Sequence, residues 1–179
     1  MTAAEMLSVA AFLEGRHAQA FPTFGSERTG APVAAFCRID DAPIRVREPI
    51  AEPDAVIVQD PTLLHQVDVF GGLRAGGYIL VNSRRGLAEL GLDDLTPHYP
   101  PDRLMAVPAT ELARRHLGRP LPNAALLGGF SAMTGQVSLD AVVAAIRARF
   151  PGAAGEGNVA AAAATYERVR EQLGSRADA

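Results

Sequence analysis

The chain contains no lysine; all 17 of its basic side chains are arginine. That absence excludes a P-loop lysine, a Schiff-base lysine and pyridoxal-phosphate chemistry carried by this chain. Cysteine is almost as scarce. Cys37 stands alone, so neither an iron–sulfur cluster nor a disulfide framework can be built within the chain. The four histidines, His17, His65, His98 and His116, are scattered without metal-ligand spacing. No window approaches roughly 18 uninterrupted apolar residues, which argues against a transmembrane helix. The N-terminus lacks the basic-then-apolar layout of a secretory signal, and Glu5 and Glu14 punctuate its first helical stretch; a cytoplasmic protein is expected. There is no basic excess either. A net charge of −3 with mixed signs argues against nucleic acid as a partner.

What is present is a chain of 179 residues, 48% apolar, long enough to bury a proper core. A single domain over residues 1–179 is expected, with the tail at 174–179 frayed. Ala3, Met6, Ala10 and Leu13 recur at helical spacing, with Thr2 placed to cap the helix and Gly15 to stop it. VAAFCRI at 33–39 alternates like a strand. Residues 40–54 are polar and carry Pro43, Pro49 and Pro53, which suits loops or strand edges.

AVIVQ at 55–59, YILVNS at 78–83 and LMAVP at 104–108 are short apolar runs of the kind buried on both faces of a sheet. Between the first two, Asp60-Pro61-Thr62 opens an expected helix bearing Leu63, Leu64, Val67 and Phe70. Further helices are expected over 110–117, 122–135, from a Ser138 cap to near Phe150, and over 157–173; Gly128 and Gly129 mark close helix packing. Strand alternating with helix predicts an α/β fold of the doubly wound, Rossmann-like class, its parallel or mixed sheet covered by helices on both faces. Such a domain ordinarily opens with a strand and a Gly-rich turn feeding the first helix. Here the sequence starts at the helix, so either another segment supplies that strand or the native chain starts upstream of Met1.

Three stretches carry a family resemblance. They are FPTFGSERTGAPVAAFCRID at 21–40; DAVIVQDPTLL with GLRAGGYILVNS at 54–64 and 72–83; and VPATELARRHLGRPLPNAALLGGFSAMTG at 107–135, continuing into SLDAVVAAI and GNVAAAAATYE. Together they resemble the gamma subunit, or fused gamma domain, of pyruvate and related 2-oxoacid:ferredoxin oxidoreductases. The opening turn of that family, of the form G-x-G-G-Q-G, is missing here.

The resemblance implies an enzyme that decarboxylates a 2-oxoacid, pyruvate-type or aryl, on thiamine diphosphate with Mg²⁺. Electrons leave through [4Fe-4S] clusters to ferredoxin or another acceptor, and the acyl group passes to coenzyme A. It further implies that alpha, beta and delta-type partner subunits hold those cofactors, while this chain is not catalytic alone and packs beside the active site, shaping access of substrate or CoA. One cysteine and no GDG…NN stretch agree with that division of labour.

The segment singled out as substrate- or CoA-proximal, or as an interface, is Gly25-Ser26-Glu27-Arg28-Thr29-Gly30. Arg28 is suited to a carboxylate or phosphate, bidentately and with charge, and Glu27 to orienting it. Equally, the loop is a joint between subunits whose glycines serve positive φ. Asn82, Asp60 and Thr62 follow buried-type strands, at the edge where open α/β sheets take ligands. Helix capping is the favoured role for Asp60 and Thr62, and Asn82 either faces a ligand or satisfies loop backbone. Arg84-Arg85 either meets an acidic neighbour or nucleotide phosphate, or is simply solvated, the favoured reading. Two rival functions stay open: a purely structural adaptor of the complex, and an independent nucleotide-binding protein. The second lacks a G-x-G-x-x-G after a strand.

Overall fold

The computed structural model describes residues 2–22 and 33–177. Helix α1 (Thr2–Leu13) buries Ala3, Met6, Leu7, Ala10 and Ala11, and the turn after it closes on Gly15 at φ 78°. Thr2, expected as the cap, is the first residue of the helix itself. Strand β1 (His17–Pro22) then pairs antiparallel with β2 (Ala35–Asp40), from His17↔Asp40 to Pro22↔Ala35. Strand β1 was not anticipated from the sequence. HAQAFP carries His17, Gln19 and a terminal proline, and none of its residues is fully buried, so its apolar signal is weak.

The second sheet is parallel, in the order β3 (Ala55–Val58), β4 (Tyr78–Asn82), β5 (Leu104–Val107). Alternation along these strands divides their side chains cleanly between two faces. Ala55, Ile57, Tyr78, Leu80, Met105 and Val107 join the larger core with α1, α3 (Asn123–Thr134), α4 (Leu139–Arg149) and α5 (Gly152–Ala177). Val56, Val58, Ile79, Val81, Leu104 and Ala106 point the other way, onto Leu90, Leu92 and partly buried residues of the connections.

The α/β class and the parallel sheet expected from the alternation are thus observed. The second face, however, is closed by 3-10 turns at Pro61–His65, Ala88–Leu90 and Thr96–His98 rather than by α-helices. The α-helix expected to carry Leu63 through Phe70 does not form. Its 3-10 turn ends at His65, the Asp68 carboxylate accepts from the Phe70 N–H at 3.3 Å, and Gly72 follows at φ 77°.

Helix α3 is buried on every side from Ala124 to Met133. A Cβ on Gly128 would overlap the Ala162 carbonyl of α5, and one on Gly129 would lie 3.1 Å from Thr165 Cγ2. The two glycines therefore mark close helix packing, as their place in the sequence suggested. The alanine-rich α5 supplies the matching flat surface, with Ala161 and Ala162 inaccessible. Ser138 caps α4, its hydroxyl accepting from the Ala141 N–H at 3.1 Å. Helix α5 begins before the expected residue 157 and continues through Ala177, taking in part of the segment expected to fray.

Cys37 packs against the larger core, and burial pushes its thiol up to about 12. At neutral pH it is a protonated, unreactive packing group.

Candidate functional site at the carboxyl edge of the parallel sheet

Of the residues singled out from sequence, Gly25, Ser26, Glu27, Arg28, Thr29 and Gly30 lie outside the described residues. What the structure gives is their anchorage. The strands on either side end as the cross-strand pair Pro22↔Ala35, and Phe21 meets Phe36 with ring centroids 5.4 Å apart.

Asn82 lies at the other candidate location, the end of β4. Only 7% exposed, its side-chain amide donates to the Gln59 carbonyl at 2.8 Å and to Thr110 Oγ1 at 2.7 Å. Its Oδ1 accepts from the Thr110 N–H at 3.0 Å. One side chain thus joins the ends of β3 and β4 to the first turn of α2 (Ala109–Leu117), whose preceding residue, Pro108, offers no side-chain cap. With its polar atoms satisfied within the protein, Asn82 is a positioning residue. Asp60, by contrast, caps its own 3-10 turn: its carboxylate accepts from the Thr62 N–H at 2.9 Å and the Thr62 hydroxyl at 2.6 Å. These bonds hold its pKa below the ordinary 3.8.

Beyond Asn82 the chain turns sharply. Ser83 Oγ accepts from the Arg85 N–H at 2.9 Å, and the Glu89 carboxylate accepts from the Gly86 N–H at 2.9 Å. This turn and one stripe of α5 enclose a cleft of about 200 Å³. Arg84 and Arg85 approach from the turn, and Arg168, Gln172 and Arg176 from the helix. The three α5 residues recur every fourth position and so share one face. Sequence reasoning singled out Arg84-Arg85 but missed their α5 counterparts; the four-residue spacing was the available signal.

No group of three or more His, Cys, Asp or Glu side chains is placed to hold a metal ion among the described residues. No described helix is long and apolar enough to cross a membrane.

With this geometry in hand, comparison with known proteins places the fold. The model of the pyruvate ferredoxin/flavodoxin oxidoreductase family matches residues 1–168, and the chain belongs to that family. The Thermococcus kodakarensis pyruvate/ketoisovalerate oxidoreductases common subunit gamma is 48% identical over 169 residues, 94% of this chain and 90% of that protein. Pyruvate synthase subunit PorC of Methanothermobacter thermautotrophicus is 44% identical over 171 residues, covering 96% of this chain and 89% of its own. Among solved structures, pyruvate oxidoreductase subunit PORC of Thermotoga maritima superposes with a TM-score of 0.74 at 32% identity, over 93% of this chain and 87% of that one. The family expected from the three sequence stretches is therefore the family found.

Proposed function

We propose that this chain is the gamma subunit of a 2-oxoacid:acceptor oxidoreductase, an enzyme converting a 2-oxoacid, pyruvate-type or aryl, to acyl-CoA and CO₂. The observation that carries this reading is the 48% identity to a common gamma subunit along nearly the full length of both chains. The surface supports a subunit role. Val9, Phe12 and Leu13, one face of α1 at helical spacing, are 41%, 71% and 53% exposed, an apolar ridge suited to burial against a neighbour.

Thiamine diphosphate with its Mg²⁺ and the [4Fe-4S] clusters belong in this reading to alpha, beta and delta-type partners. The donor set here does not fit a cluster. The single thiol faces the core and is held protonated, whereas cluster ligation needs several thiolates. This chain's part is to border the active site through residues 25–30, with Arg28 directed at a carboxylate or phosphate of substrate or CoA. Ferredoxin or another acceptor takes the electrons elsewhere in the complex.

Isolating the complex from its native cells tests the assembly: a thiamine-diphosphate subunit and a cysteine-rich iron protein are expected to co-purify. Arg28→Ala tests the role within it. A raised KM for CoA or the 2-oxoacid in an intact complex is expected; lost assembly with unchanged kinetics of the remainder would mean a structural adaptor instead.

A further inference from the structure

The cleft between the Ser83–Leu87 turn and α5 differs in charge from its neighbour. Four of its ten lining residues are arginine and none is acidic. The adjoining cleft between α2 and α5 mixes Arg115 and Arg168 with Glu111, Glu167 and Glu171. The four arginines are also unequally neutralised. Arg84 has Glu111 at 3.6 Å and Arg168 has Glu171 at 3.8 Å, both at the loose limit of an ion pair between exposed groups. Arg176 donates to the carbonyls of Pro101 and Leu104, which orient its guanidinium without cancelling its charge. Arg85 uses only its backbone N–H, and no acidic side chain pairs with it among the described residues. Two full positive charges are thus left uncompensated around one concavity.

Gln172 also lines this cleft. Gln172 holds its amide against the Ala106 carbonyl at a long 3.5 Å, while its Oε1 is buried with no hydrogen-bond donor among the described residues. An orphaned buried acceptor is costly, and a donor in the cleft reaches it only when the Gln172 side chain turns toward that space. The Arg85 and Gly86 N–H groups of the turn are spent on Ser83 and Glu89, which leaves the guanidinium groups as the charged donors for an anion.

We infer that this cleft binds the phosphate end of a nucleotide. Arginine forks match phosphate oxygens bidentately, and a ribose hydroxyl next to the phosphates satisfies Gln172 Oε1 once that side chain turns. At about 200 Å³ the cleft is smaller than the roughly 300 Å³ at which sites for whole drug-sized ligands begin. It therefore takes the charged end and leaves the rest of the ligand outside. Its place at the carboxyl edge of parallel strands is where open α/β sheets bind such ligands. The inference concerns this chain alone and stands or falls separately from Arg28 and the assembly.

Calorimetric titration of the full chain with ADP and with inorganic pyrophosphate tests it. Both are expected to saturate a single site, ADP more tightly, with affinity falling as salt rises. The double variant R85Q/R168Q is expected to weaken both by about tenfold or more. Q172L should remove the advantage of ADP while sparing pyrophosphate, and R115Q, in the adjoining cleft, should change neither. Circular dichroism melts establish that each variant is folded. Absence of saturable binding by either probe, or unchanged binding in the folded double variant, would overturn the inference. So would saturation by poly-glutamate alone, which would make the patch a docking surface for an acidic protein.

Discussion

The two faces of the parallel sheet are closed by different means. On one, α3 and α5 meet through glycine and alanine, so closely that Gly128 has no room for a side chain. On the other, Leu90 and Leu92 come from short turns and loops, and local bonds such as the Asp60 cap set their course. The first face depends on long-range fit between rigid elements. The second depends on many small local agreements, each of modest energy. The carboxyl edge is shared by both, and there Asn82 joins the ends of β3 and β4 to α2.

The sharpest test of this contrast is Gly128→Ala. A methyl group there meets backbone rather than a side chain that can rotate away, so a loss of about 3 kcal/mol is expected. In thermal unfolding that corresponds to a midpoint lower by roughly 6–12 °C. A change of only a degree or two would show that α3 and α5 are not rigidly matched. Asn82→Ala comes next. It orphans the Gln59 carbonyl and the Thr110 N–H, at a cost of about 2 kcal/mol in denaturant unfolding. Faster amide exchange at the start of α2 should accompany it, and unaltered exchange there would break the link between the two regions.

The smallest effect concerns Asp60, on the turn-built face. Its pKa is lower folded than unfolded, so its capping contribution is present above the ordinary carboxylate value and fades as pH falls through the folded one. Local loosening of Pro61–His65 below about pH 4 is expected by NMR, and Asp60→Asn should show no such step.

The contrast also governs what could be read in advance. Strands β3, β4 and β5 were legible because continuous apolar runs such as AVIV have few other uses, and α2, α3 and α4 because periodicity and the Ser138 cap agree. The turn-built face was misjudged. Leu63, Leu64, Val67 and Phe70 mimic a helical period, yet Pro61, Asp68 and the Gly71-Gly72 pair decide the backbone locally.

Helix α5 erred in the opposite sense. Gly152, Gly155 and Gly157 argue against a helix by propensity, but tertiary packing overrides it: Gly155 lies against the Phe150 carbonyl and Gly157 against Leu117. At the candidate sites, Asn82 was read as lying at the carboxyl edge of the sheet, where it does lie, while its bonds to Gln59 and Thr110 depend on side-chain geometry that a sequence does not encode directly. The α5 side of the arginine cleft was hidden for a related reason. Arg168 and Arg176 look like ordinary solvated charges until the fold sets them opposite Arg85.

The lone thiol offers an internal clock for the antiparallel strands. Cys37 is the only cysteine in the sequence, sits mid-strand in β2 opposite Ala20, and is held protonated by burial. Alkylation at neutral pH must wait for β2 to lift from the core, so the rate of thiol modification reads out that opening directly. Because β1 and β2 flank residues 23–32, the same rate, followed as candidate partner subunits are added, reports any change that assembly makes in the opening of β2.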